Sequence, residues 1–341
     1  MYIMAITRTA AGWLMTGIAI GLAATVSAIE PIQKQGGLVL QFDDGSPTWL
    51  GTIAPELKQV NGKASGFVNN ANIGPHRRLT LADLLKLQNE YGWEIGTHTY
   101  HHYHTPQKIR TIGLNPWVAG EVETSIRELR AAGLNVQALV FPFNESPPAA
   151  EAEVLARVQT FRRQTPLAIT RGLSRDKTFP SSSIDISNYV PLRQLKQWVD
   201  LAHDENKIMF VFSHYVLPDS EFITGKVVAI KGNTLITDQT LAIKPSEQIS
   251  LVPDTNRLLR DRIHITAING NTISTDAPDL IKKTEPGATF MIGQGYSIPQ
   301  SYFHEFITYA APRLTFYTVS DIVKGAHQTT HTIAPPAAGN P

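Results

Sequence analysis

The sequence predicts an α/β fold built on a parallel sheet and carrying a small all-β insert, and three observations lead there. Short apolar runs alternate with helix-like segments from Gly36 to about Leu217. From Phe222 to about Ile292 the pattern changes to β-rich runs broken by Gly-Asn pairs and prolines, and from Ser301 a helix–strand–helix pattern resumes. At 341 residues the chain can bury a full core. A net charge of +1 without a long Lys/Arg block removes the electrostatic case for a nucleic-acid partner. With no cysteine, disulfides and thiolate ligands are excluded, so a metal site must be built from His, Asp or Glu.

Residues 1–28 read as an export signal, with Arg8 at its start, an apolar run from Ala10 to Ala24 and small residues Val26-Ser27-Ala28 for cleavage. A secreted or periplasmic protein is expected, with no membrane span after cleavage near Ala28, or membrane-anchored if uncleaved. The predicted strands are Leu38 to Phe42, Ala64 to Val68, Trp93 to Thr97, Ala138 to Phe141, Leu167 to Thr170 and Ile208 to Phe212. Helical patterns between them include Thr80 to Tyr91, where Leu81, Leu84, Leu85 and Gln88 recur at helical spacing, and Asn115 to Ala132. Strand and helix in turn predict a parallel sheet with helices outside, open or closed as a barrel, over 36–217 and 300–325.

The insert, residues 222–296, contains an internal repeat. Ala229-Ile230-Lys231-Gly232-Asn233-Thr234-Leu235-Ile236-Thr237-Asp238 returns as Ala267-Ile268-Asn269-Gly270-Asn271-Thr272-Ile273-Ser274-Thr275-Asp276. Each copy predicts strand, tight turn, strand, because Gly and Asn accept positive φ. Two related β units packed as a small sandwich or barrel are expected. Ser301 to Ala311 predicts a helix, Arg313 to Val319 a strand, and the residues after it a last helix. The tail, 326–341, is predicted to be disordered.

The chemistry is carried by residues that follow predicted strands. Asp43 and Asp44 end Gln41-Phe42-Asp43-Asp44-Gly45, and His98-Thr99-Tyr100-His101-His102 follows Trp93 to Thr97, so both project from one edge of the sheet. His98 and His102 are four apart, which on a helical turn places both on one face to share a metal ion. His101 and His104 stay open as further candidates. One carboxylate with two imidazoles holds a divalent metal and leaves positions for water, while the second carboxylate is free as a base. That combination suggests hydrolysis. Val140-Phe141-Pro142-Phe143-Asn144 and Phe210-Val211-Phe212-Ser213-His214 bring two more segments to the same rim.

These motifs resemble the polysaccharide deacetylases of carbohydrate esterase family 4, the NodB-homology domain. The resemblance runs from about Gly36 to Leu217 and again from about Ser301 to Val323, and it implies a distorted (β/α)7-type barrel. It implies Asp43 as catalytic base, Asp44, His98 and His102 as ligands of a divalent metal, most often zinc, and His214 as general acid. The Phe143 N–H would serve the oxyanion, a role that needs no side chain. The implied reaction is metal-dependent removal of N-acetyl groups from an exported polysaccharide. Two departures stand out. Val140 occupies the position of an arginine that normally orients the base, with Arg171 or Arg193 as stand-ins, and the aspartate that supports the acid histidine has no clear match, with Asp185 or Asp176 as candidates.

Two other readings use the same residues. A carbohydrate-binding module that has lost turnover is favoured by the missing arginine, and an O-acetyl esterase by the equal suitability of water attack for esters. A glycosidase fits less well, since adjacent Asp43 and Asp44 point to opposite sides of a strand. The insert, entering just after His214, is expected to act as a spacer or lid, or to bind glycan or a protein partner.

Overall fold

The computed structural model describes residues 34–74, 78–162, 173–174, 183–186, 190, 192–241, 248–252, 263–276, 284–293 and 296–324. The predicted export segment, the predicted strand Leu167 to Thr170 and the tail lie outside the described residues. Among the described residues no helix is long and apolar enough to cross a membrane.

The main sheet is built from β1 (Gly37–Asp43), β2 (Ser65–Val68), β3 (Glu94–Thr97), β4 (Ala138–Val140), β5 (Thr160–Arg162), β6 (Leu173–Ser174), β7 (Ile184–Asp185) and β8 (Ile208–Ser213). Its order is β5-β4-β3-β2-β1-β8-β6, with β7 also on β8. All these ladders are parallel except β6–β8. Among the described residues no ladder joins β5 to β6 or β7, so the sheet is a curled half-barrel of the (β/α)7 type.

Alternation along the strands assigns the residues to the two faces of the curled sheet. Val39, Phe67, Ala138, Val140, Ile208 and Phe210 fill its concave side, and Leu38, Leu40, Phe42, Ile95, Leu139, Met209 and Val211 pack outward beneath the helices. Asp43 follows Val39 and Gln41 on the inward-facing register of β1, and it arrives at the carboxyl end of the sheet, where parallel folds place their sites. The opposite end is closed by the helix Val319–Val323, whose Val319 and Ile322 join the concave cluster. Buried Glu94 anchors that helix, accepting from Ser320 N at 2.9 Å and Ser65 Oγ at 3.1 Å.

Chain order continues through β9 (Tyr215–Leu217) into the insert: β10 (Ile223–Lys231), β11 (Thr234–Thr237), β12 (Gln248–Val252), β13 (Ile263–Asn269), β14 (Thr272–Thr275) and β15 (Thr289–Gly293). These six close into an antiparallel barrel in the order β10-β11-β14-β13-β12-β15. The repeat read from the sequence is expressed as a pseudo-two-fold. Strands β11 and β14 pair about Leu235↔Ile273, the equivalent residues of the two copies, and both copies shift register at matching positions, Val227/Ala229 and Ile265/Ala267. Thr237 N donates to Asn271 O at 2.8 Å and Thr275 N to Asn233 O at 3.3 Å, so each Gly-Asn turn ends the other copy's strand. The barrel has its own apolar core around Val227, Leu235, Ile265, Ile273 and Phe290. Strands β9 and β16 (Ser297–Pro299) form a parallel ladder where the insert leaves and returns. The helix Gln300–Ala310 and β17 (Thr315–Tyr317), which pairs with β1, then complete the main unit.

Candidate active site

Asp44, His98 and His102 converge, as their spacing suggested, but the two histidines reach one side through a loop rather than a helical turn. Left-handed backbone at Thr99 (φ 65°) and His102 (φ 63°) folds that loop back on itself. His98 N donates to Val68 O at 2.8 Å, and Asn69 Nδ2 donates to His98 O at 3.2 Å, tying the loop to β2. Val140 O accepts from His98 Nδ1 at 2.7 Å, so the proton lies on Nδ1 and Nε2 presents its lone pair to the site.

The donor set fits a divalent cation. His98 Nε2 and His102 Nε2 are 3.2 Å apart, and Asp44 Oδ1 lies 3.6 Å from His102 Nε2 and 3.8 Å from His98 Nε2. Ligands held tetrahedrally at about 2.0–2.1 Å from zinc stand about 3.3 Å from one another. Among the described residues this is the one cluster with metal-binding geometry. Burial, then the neighbouring His98, lowers the pKa of His102 to about 4, which keeps it neutral and able to ligate. The other two histidines face elsewhere. His101 Nδ1 pairs with buried Glu121 at 2.8 Å, and His104 Nδ1 with Glu145 at 3.1 Å.

Asp43 is 2% exposed. Its carboxylate is gripped by both terminal nitrogens of Arg162, Nη1 reaching Oδ1 at 3.2 Å and Nη2 bonding Oδ2. Arg162 is the β5 residue registered with Val140 on β4. The arginine absent from Val140 is thus supplied by the next strand at the same level and facing the same side. Its guanidinium lies 4.1 Å over the Phe212 ring, and Nε donates to Asn144 Oδ1 at 3.2 Å. The proposed stand-ins do not take this place: Arg193, on the helix Leu192–Asp204, does not line the cavity, and Arg171 lies outside the described residues. Burial pushes the Asp43 carboxyl up, but Arg162, His98 and His214 together outweigh it, leaving the group below its ordinary value.

His214 follows β8 and faces the same cavity. Trp49 packs against Gly66, where a Cβ would come within 2.5 Å of the ring, and its Nε1 donates to His214 O at 3.2 Å. Burial lowers the pKa of His214, against Asp43, Asp44 and Asp185, which favour its charged form. Asp185, one of the two proposed supporting aspartates, lines the cavity from β7; Asp176 lies outside the described residues. Among the described residues His214 Nδ1 has no hydrogen-bond partner.

These groups line one cavity of about 310 Å³, together with Phe143, Asn144, Tyr215 and Tyr296. A groove of about 740 Å³ near Glu56, His304 and Arg313 is larger but contains no metal-binding cluster. Of the eight described non-glycine residues with positive φ, five line the smaller cavity: Asp44, His102, Phe143, Asn144 and Tyr296. Such backbone costs on the order of 1–3 kcal/mol per residue and concentrates where function holds it in place. Arg162 and Tyr296 were not legible as site residues. The signal for Arg162 was its place on the inward-facing register of a short strand, Thr160-Phe161-Arg162.

Residues 32–143 match the polysaccharide deacetylase family model. That stretch holds Asp43, Asp44, His98, His102 and Phe143 of the deacetylase resemblance. No curated protein is significantly similar in sequence. Among solved structures, the chain is similar to a family 4 carbohydrate esterase from Streptomyces lividans, at 15% identity and a TM-score of 0.38, over 53% of this chain and 80% of that one. It is also similar to a polysaccharide deacetylase from Bacillus cereus, at 18% identity and a TM-score of 0.35, over 53% and 79%. A deacetylase from Streptococcus pyogenes overlaps 34% of this chain and 50% of its own, at 18% identity and a TM-score of 0.31.

Proposed function

We propose that this protein is a metal-dependent hydrolase that removes N-acetyl groups from an extracytoplasmic polysaccharide. The observation that carries the reading is the buried Asp43–Arg162 pair set beside the Asp44, His98 and His102 donors in one cavity. Asp44, His98 and His102 would hold a divalent ion, zinc on the deacetylase resemblance, which when bound would supply Lewis-acid polarisation of the acetyl carbonyl and acidify a water.

The protein's own groups do the rest. Asp43, kept anionic by Arg162, takes a proton from the attacking water as base. The Phe143 N–H donates to the oxygen on which charge develops. His214, which lines the same cavity, delivers a proton to the departing sugar nitrogen; burial lowers its pKa, and Asp43, Asp44 and Asp185 oppose that shift. Products are acetate and a free amino sugar. Action outside the cytoplasm rests on the export pattern of residues 1–28. The missing arginine that favoured a binding module without turnover is answered by Arg162.

The test is acetate release from N-acetylglucosamine oligomers and from an O-acetylated xylan by the zinc-loaded protein. Activity on the first above the second is expected. Asp43→Asn should abolish release with zinc still bound, measured by elemental analysis, and unchanged release in that variant would refute the mechanism.

A further inference from the structure

Building on the deacetylase reading, we propose that Tyr296, contributed by the insert, is a substrate-binding residue whose ring packs against one pyranose of an N-acetylhexosamine chain over the site. Tyr296 and Phe143 both line the 310 Å³ cavity, yet Tyr296 remains 43% and Phe143 47% exposed. A ligand that covers these rings buries the apolar area that folding leaves exposed. Both also hold left-handed backbone, φ 64° at Tyr296 and 56° at Phe143, a conformation an L-residue adopts only when its surroundings impose it.

The two rings mark different sides of the chemistry. Phe143 stacks on His104, with centroids 3.7 Å apart and planes 7° apart, and leans on the metal-site His102 at 4.7 Å. Tyr296 lies 4.7 Å from the His214 ring. A sugar whose acetamide reaches the donors between these histidines therefore passes between the two aromatics. Pyranoses with equatorial substituents suit them, because their axial C–H bonds gather into apolar faces while the hydroxyls stay at the edge. The cavity is at the small end of the range for ligand sites, about 300–1,000 Å³, and holds about one sugar residue.

Tyr296 is not part of the half-barrel. It sits where the inserted barrel returns, immediately before β16, and its carbonyl accepts from Tyr215 N at 3.2 Å at the head of the β9–β16 ladder. The insert thereby contributes one wall of the site through a fixed ladder.

The experiment uses the full zinc-loaded chain and N-acetylglucosamine tetramer. Tyr296→Ala should raise KM about tenfold with kcat within about twofold, while Tyr296→Phe and Tyr296→Trp, which keep a flat ring, restore KM. Val228→Ala, on the exposed surface of the inserted barrel, is the control and leaves both constants unchanged. Calorimetry on the Asp43→Asn background should show the tetramer's Kd weakened about tenfold when Tyr296→Ala is added. Equal KM and Kd with and without the ring overturn the proposal. A ring-dependent Kd in a chain that releases no acetate would instead sink the deacetylase reading and leave the stacking.

Discussion

The Arg162 guanidinium is the strongest of the three neighbours that favour the Asp43 carboxylate, and the same contact contributes to stability. Breaking a buried ion pair by removing one partner costs about 3–5 kcal/mol, so Arg162→Leu should lower the unfolding free energy by about that amount in urea titrations. The pH dependence follows from the direction of the shift. Asp43 lies below its ordinary value of 3.8, so the pair's contribution is full above that value and disappears as pH falls through the folded pKa. The stability gap between wild type and Arg162→Leu should therefore narrow in acid, below about pH 4; a gap independent of pH would mean that Asp43 is not the group involved. Among the histidines, His101→Ala should retain zinc, because His101 faces Glu121. His98→Ala and His102→Ala should lose more affinity than the about 10–100-fold typical of outer-shell losses, measured by chelator competition.

At the scale of elements, the deacetylase reading expects an arginine on β4, and it is β5 that brings one to Asp43. Val140 and Arg162 are paired in register, so their side chains share a face. The double variant Val140→Arg/Arg162→Val should recover acetate release lost in Arg162→Val by about tenfold or more, a coupling measured by a double-mutant cycle. No recovery would mean that β5 holds Asp43 in a geometry that β4 cannot reach. The pairing also explains what was legible beforehand. Asp43-Asp44, His98 with His102, and His214 stood out because each set lies within a few residues at a strand end. Arg162 did not, because its meaning comes from a neighbour 22 positions away in the chain, through a register that only the folded sheet sets. Strand β5 was not predicted, because it is three residues long and carries a single buried aromatic, Phe161.

For the whole molecule, the inserted barrel has a core separate from those of the half-barrel, and its entry and exit are held by β9 and β16. Replacing residues 223–293 by a short flexible linker should leave the half-barrel folded, with one cooperative thermal transition and zinc still bound. Loss of zinc on that deletion would show that the insert helps shape the metal site itself. The pseudo-two-fold of the barrel follows from the duplicated sequence, since copies with the same pattern of strand, bulge and Gly-Asn turn bury their apolar faces best against one another.

By itself the sequence determined the alternating α/β order, the duplicated β unit and the three residues that converge as a candidate metal site. These are properties of period and local spacing, which survive without knowledge of the fold. Tertiary structure alone decided which arginine meets Asp43, that His101 and His104 turn from the metal site, and that Tyr296 reaches His214. Each of those depends on strand register, a left-handed turn or the return path of an insert, and such contacts join residues whose separation along the chain carries no signal.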